Sequence, residues 1–358
     1  YLGFGLVYSE KNLFLSVKTF SYFCFRMGKH LLTYLLFLWV GVMSGLAFVV
    51  QASPNFYFKQ LSQQDGLPQN FVRSIMLDHN GFFWIGTSRG VSRFDRHEFK
   101  NYSAVPDSAT SLPDNLIHFI VEDAQNNIWI STSKGVCVYQ RKSDDFKRIR
   151  WGKRALQAHS YMLTDDALLL GGRGVIYRWD YARCVMDTVP IRWKERSYAF
   201  FNYMSSWREH YWVLSSRWEG MWILDCRTGE ITRPEFCRER EIMAVKVDSR
   251  DNLWISPYGK GLDGYGDGGR KRVHYDMSNS DLTHNVILDI EERDGQLWLA
   301  TDGGGISILN RGDNSFSNIR YVPGDVYSFP VSSVFCLYRD KDNNMWAGTI
   351  RGGLFGIK

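Results

Sequence analysis

The chain has 358 residues, 44% hydrophobic and 15% aromatic, with 13 Trp and 32 Gly, a composition that suits a large core of strands and tight turns and excludes a disordered chain. Its formal charge of +5 is misleading, because residues 1–52 hold Lys11, Lys18, Arg26 and Lys29 against Glu10 alone and the remainder balances at +2. Nucleic acid, which requires a concentrated basic stripe, is excluded as a direct partner.

Residues 1–26 precede a credible start at Met27 and read as a non-native upstream extension. Residues 27–52 read as an export segment. Met27-Gly28-Lys29-His30 is a short basic start, Leu31 to Val50 carries no charge, and Val50-Gln51-Ala52 offers small residues to a signal peptidase. The apolar run of about 20 residues is also long enough for an uncleaved anchor. Both readings put everything after Ser53 outside the cytoplasm, in the periplasm.

From residue 54 to 358 one phrase recurs: an apolar strand, an Asp/Asn/Gly turn, then Trp followed by small residues. The first copy reads Val72 to Asp78, Asn80-Gly81, Phe83-Trp84-Ile85-Gly86-Thr87 and Gly90-Val91; the second reads Ile117 to Asp123, Asn126-Asn127, Ile128-Trp129-Ile130-Ser131-Thr132 and Gly135-Val136. Further copies centre on Trp212, Trp254, Trp298 and Trp346, and the 83-residue gap between Trp129 and Trp212 accommodates a degenerate copy around Leu169. Seven copies result. Each holds four short β-rich runs joined by hairpin turns, with no sustained helical stripe. The predicted fold is all-β, a seven-bladed β-propeller of four-stranded antiparallel blades. Trp on the second strand of each blade would wedge between neighbouring sheets. The seventh copy stops at Leu354-Phe355-Gly356-Ile357-Lys358 without a fourth strand, and Phe56 to Leu61 resembles the outer strand Phe99 to Tyr102. The N-terminal strand is therefore expected to close the ring and hide its open edges.

Cysteines 24, 137, 184, 226, 237 and 336 form no C-x-x-C pair. Cys226 and Cys237 allow a disulfide across a hairpin, but unpaired small core residues suit the pattern better. Asp/Asn-rich turns such as 248–252 and 340–344 lack the spaced carboxylates and closing Glu of a calcium loop and are expected to fold without an ion. No acidic pair stands out from the repeat turns and the eight His are scattered. The expectation is a protein without catalytic activity, cofactor or metal.

Asp65-Gly66-Leu67-Pro68-Gln69-Asn70 with the phrase from Asp78 to Val91 resembles the two-component regulator propeller repeat, as do Ser111-Leu112-Pro113-Asp114-Asn115 and Ser328-Phe329-Pro330-Val331. Copies three and four depart from it, through Leu169 in place of Trp and Ser206-Trp207-Arg208-Glu209 in place of the turn. The resemblance implies the N-terminal sensor region of a Bacteroidetes-type hybrid two-component protein: two propellers and a β-sandwich outside the membrane, then a histidine kinase, a receiver and a DNA-binding module. It further implies recognition of oligosaccharides, control of polysaccharide-utilisation genes and a homodimeric parent of which this chain is a fragment.

In such a disc the turns between second and third strands share one face with the connections into each blade. Those turns carry Arg89, Lys134, Arg173, Arg217, Lys260 and Arg351, with Asp302 as the exception, a basic ring able to hold carboxylate or sulfate. Long polar residues favoured in exposed turns explain the same pattern. Trp207, Trp218 and Tyr258 lie outside the repeated Trp position and offer faces for sugar stacking, or else displaced packing. A scaffold that mediates only dimerisation is the competing function.

Overall fold

A computed structural model describes residues 56–358, apart from 196, 267 and 268. The expected extension, the export segment and Cys24 lie outside the described residues. Seven sheets follow one another along the chain. In the first blade the strands are Val72–Leu77, Phe83–Thr87, Gly90–Phe94 and Phe99–Tyr102, paired antiparallel in sequence order. The first strand of every blade touches the first strands of both neighbouring blades, so these seven strands form a closed inner ring about an axis.

The second strands explain why the sequence folds this way. Phe83–Thr87, Ile128–Thr132, Ala167–Gly171 and Leu253–Pro257 are buried at every position, as expected of a sheet covered on both faces by neighbouring blades. Trp84, Trp129, Trp254 and Trp298 are buried on these strands, each filling an inter-blade layer with Leu, Ile, Val and Phe. Leu169 takes the same place in blade 3 and packs with Phe201, Met204 and Trp222 of the next sheet.

Closure occurs as the sequence implies. Phe58–Leu61 pairs antiparallel with Leu354–Ile357, from Phe58 opposite Ile357 to Leu61 opposite Leu354, and completes the seventh sheet as its outermost strand. Phe58 lies against Phe329 at 5.1 Å and Phe56 against Trp298 at 5.9 Å between ring centroids. Gly353, at φ +84°, fixes the junction: a Cβ there would collide with the Leu61 carbonyl, while its N–H donates to Asn70 O at 3.0 Å. Only glycine combines that left-handed backbone with so close an approach.

Two additions distinguish the diverged blades. A two-stranded hairpin, Arg150–Trp151 with Arg154–Ala155, rises between blades 2 and 3. Blade 4 gains a fifth strand, Arg192–Trp193, parallel to Glu230–Thr232. Cys226 and Cys237 are unbonded; Cys226 is exposed and Cys237 buried beneath blade 5.

Candidate functional site: the top face and the channel mouth

The turns between second and third strands share a face with the connections into the next blade because they are hydrogen-bonded to them. Gly90 N–H donates to Asn115 O, Gly174 to Ala199 O, Gly261 to Asn285 O, Gly305 to Ser332 O and Gly353 to Asn70 O. This top face carries all the basic turn residues singled out from the sequence, in unequal settings. Arg89, Arg173 and Arg351 are exposed, and Arg173 Nε donates to Tyr198 O at 2.5 Å. Lys134 Nζ stands 3.6 Å from Asp114, and Lys260 is paired with Glu239 at 2.8 Å. Lys134 also borders a hollow of about 260 Å³ lined by Pro113, Arg148, Arg150 and Lys153. Arg217 is half-buried, and burial lowers its pKa.

The aromatic candidates separate clearly. Trp207 is 3% exposed, packs with Val213 and Val245, and donates its indole N–H to Asp251 O at 3.0 Å; it is a core residue and offers no face to a sugar. Trp218 is 67% exposed and Tyr258 55%. They occupy the corresponding turns of blades 4 and 5, and Tyr198, in the connection into blade 4, is also exposed.

Inside this rim lies a cluster that the sequence reading missed. In blades 1, 2, 5, 6 and 7 the first strand has a bulge directly after its first residue. The ladder skips Arg73, His118 and Phe335, among others, and a bulge re-aims the side chain it skips. The Arg73 guanidinium lies over Phe71 at 5.2 Å and over Phe335 at 4.9 Å, with those two rings edge-to-face at 5.0 Å. Arg73 Nε donates to Ile117 O at 2.9 Å. His118 lies 4.0 Å from His159 of blade 3, and His159 stacks on Phe200 of blade 4 at 3.9 Å and 7°. An arc of aromatic and nitrogen-bearing side chains thus runs around half the mouth of the channel. Burial, then each other's charge and that of Arg73, pulls His118 down to about 3; burial and Arg73 pull His159 down to about 4. Both imidazoles are neutral at pH 7 and offer an N–H donor and an acceptor apiece.

Deeper in the channel, Tyr161 is 38% exposed, yet desolvation pushes its hydroxyl up to about 12, as befits a side chain facing a narrow, enclosed space. Asp289 ties blade 6 to blade 7, accepting the Leu337 N–H at 2.8 Å; Ser74 accepts the Ile120 N–H at the same place between blades 1 and 2. Burial, with the neighbouring Glu291, raises Asp289 to about 6 against the pull of Lys246. A carboxyl raised on folding favours the protonated folded form, so its contribution to stability is lost as pH rises from about 4 through 6. Asp289→Asn keeps an acceptor for Leu337 and is expected to raise the melting temperature at pH 7.5 while changing it little at pH 3.5, below the unfolded value, which thermal melts at the two pH values test. Among the described residues no group of three His, Cys, Asp or Glu stands together as a metal site.

Geometry and face together define a closed seven-bladed propeller with a cation- and aromatic-lined channel mouth. Three segments match the two component regulator propeller family, residues 66–89, 111–134 and 328–351, the connection-to-turn segments of blades 1, 2 and 7. No curated protein matches the chain. Among solved structures it is similar to the extracellular domain of a protein named as hybrid two component system BT3049 from B. thetaiotaomicron, at 22% identity and TM-score 0.69 over 85% of this chain and 42% of that one. It is also similar to the extracellular domain of hybrid two component system BT4673 from the same organism, at 20% identity and TM-score 0.65 over 86% and 43%. A computationally designed protein, Ika8, matches at 11% identity and TM-score 0.55 over 81% and 96%. These likenesses establish the fold, and the chain spans less than half the length of the two extracellular domains.

Proposed function

We propose that this chain is the ligand-sensing propeller of a membrane two-component sensor, held on the periplasmic side and recognising an oligosaccharide on its top face. Binding there would be relayed through a second propeller and a sandwich domain of the same protein to a histidine kinase and DNA-binding module, in a homodimeric parent. The repeat family and the sensor ectodomains of the same fold support the signalling part of this reading. The observation that carries the oligosaccharide part is the placement of Trp218 and Tyr258: two large aromatic side chains, both more than half exposed, on top-face turns of adjacent blades. An exposed indole on a rigid turn costs solvation without packing, whereas it is a ready stacking platform for a sugar ring.

Calorimetric titration of the chain with a panel of neutral and acidic oligosaccharides tests the reading. Trp218→Ala is expected to weaken the best ligand about tenfold, the size of a single aromatic anchor, without lowering the melting temperature of the free protein. A scaffold without its own ligand would bind none of the panel.

A further inference from the structure

Among the described residues, two guanidinium groups at the channel mouth, those of Arg73 and Arg217, form no ion pair. Arg73 is half-buried; its polar contact is a backbone carbonyl, and the rest of its surroundings are the faces of Phe71 and Phe335. Arg217 is half-buried on the blade 4 turn, where its backbone N–H is bonded to Asn202 Oδ1 at 3.0 Å and its side chain forms no ion pair among the described residues. Of the other half-buried arginines, Arg93 is paired with Asp144, Arg178 with Asp166, Asp180 and Asp187, Arg293 with Asp294, and Arg311 with Asp248 and Glu292, while Arg208 lies over Trp207 and donates to Gly266 O, away from the channel mouth. Arg73 belongs to blade 1 and Arg217 to blade 4, and burial first, then the charge of Arg217, lowers the Arg73 pKa. Partly desolvated charges without a partner oppose folding. A fold retains such an arrangement where an incoming anion relieves it.

We infer that the mouth between Arg73 and Arg217 receives an acidic group of the ligand, a carboxylate or sulfate carried on a sugar residue, with the imidazoles of His118 and His159 as neutral hydrogen-bonding partners beside it. This rests on the reading of the top face as an oligosaccharide site and adds the ligand's charge class. Arg217 precedes Trp218 in one turn, so a sugar stacked on the indole would place a substituent toward the guanidinium and the mouth. Arg73 is held open for a bidentate contact because its Nε is already engaged and its terminal nitrogens are not. The cations at the rim are less suited to this role: Lys134 and Lys260 already have acidic neighbours.

The test uses the chain with four probes: sulfate, glucuronate, a glucuronate-terminated disaccharide, and the same disaccharide with its carboxylate reduced to the alcohol. The acidic disaccharide is expected to bind at least tenfold more tightly than the reduced one, with an affinity that falls as salt rises from 0.05 to 0.5 M. Arg217→Gln is expected to weaken the acidic disaccharide by about 10- to 100-fold, the range for a charge-assisted hydrogen bond, and the reduced one by less than threefold. Without ligand, Arg217→Gln is expected to melt no lower than the wild type and to lose the stabilisation that the acidic probe gives it, a combination that a structural arginine would not show. Arg73→Gln, judged by the same affinity ratio at matched folded fraction, is expected to act alike. Equal affinity for the acidic and reduced disaccharides, unchanged acidic binding in Arg217→Gln, or no binding of any acidic probe overturns the inference. Tight binding of the reduced disaccharide alone would leave the oligosaccharide reading standing while the charge assignment falls. Binding of sulfate and glucuronate with neither disaccharide would do the reverse.

Discussion

Deleting residues 56–61 is expected to convert a cooperatively melting ring into a chain that melts far lower and self-associates. That strand is the outer member of the seventh sheet, paired residue for residue with Leu354–Ile357, and its side chains are not decoration: Leu61 is buried with Leu67, Val72 and Leu354, while Phe56 and Phe58 pack on the cluster around Trp298 and Phe355. Removing one buried Leu and two largely covered Phe forfeits about 5 kcal/mol at ~1.5–3 kcal/mol for a full burial and less for a partial one. The ladder bonds lost with them expose the backbone edge of Leu354–Ile357, a template for another molecule. The Gly353 turn would also lose the neighbour that its backbone is shaped around. Light scattering and urea unfolding of the truncated chain measure both effects; a monomer with an unchanged unfolding midpoint would show that the closure is dispensable.

The propeller was legible in the sequence because its repeat is a packing repeat. A Trp that recurs at 42 to 48 residues, with one double interval of 83, records the size of one sheet plus its connection, and the missing fourth strand of the last copy points to where the chain must return. The top-face turns were legible for the same reason, since Gly90, Gly353 and their counterparts mark them. The channel mouth was not. Arg73, His118 and Phe335 occupy one structural position in three blades, but they are three unrelated residue types, and the bulge that turns them toward the axis leaves no mark beyond one extra residue. His159 and Phe200 join the cluster from blades 3 and 4, whose first strands have no such bulge, so no spacing links them. Trp207 shows the opposite error. A Trp outside the repeat register looks available for binding, whereas the structure buries it under blade 5 with its N–H satisfied. Exposure depends on which neighbours fill a layer, and the chain order alone does not say that.

The repeated phrase contains an Asp six residues before Trp84, Trp129, Trp254 and Trp346, whose role the pattern alone does not reveal. The structure makes it a clasp. Asp78, Asp123, Asp248 and Asp340 are buried and accept the indole N–H of those tryptophans at 2.8–3.0 Å. Each carboxylate also accepts backbone N–H groups of its own turn, at Gln125 and Asn127 in the case of Asp123. The carboxylates of these Asp/Asn-rich turns are therefore engaged by the protein's own donors. Asp123→Ala would leave the Trp129 indole N–H unsatisfied in the interior and take from two turn N–H groups their acceptor, and it is expected to cost about 2–3 kcal/mol.

Blade 6 supplies the internal control. The sixth residue before Trp298 is Glu292, which is engaged with Ser249 and Arg311 instead, and the Trp298 indole nitrogen has no hydrogen-bond partner. Trp129→Phe should then destabilise by about 1–2 kcal/mol more than Trp298→Phe, because it removes a charge-assisted bond as well as ring area. Acid carries the same signature. Burial alone would raise the carboxyls of Asp248 and Asp340, but the bonds from Trp254 and Asn252, and from Trp346 and Asn344, hold both below the ordinary carboxylate range. A carboxyl depressed on folding contributes its full stabilisation above its unfolded value of about 4 and loses it as pH falls through the folded value. Unfolding midpoints in urea between pH 7 and pH 2.5 are expected to drop steeply below about pH 4 in the wild type, and less steeply in Asp340→Asn, whose amide oxygen can still accept the Trp346 N–H but has no proton to gain. Equal acid sensitivity of the two proteins would show that the clasps are neutral ornaments of the turn and that the blades are held by packing alone.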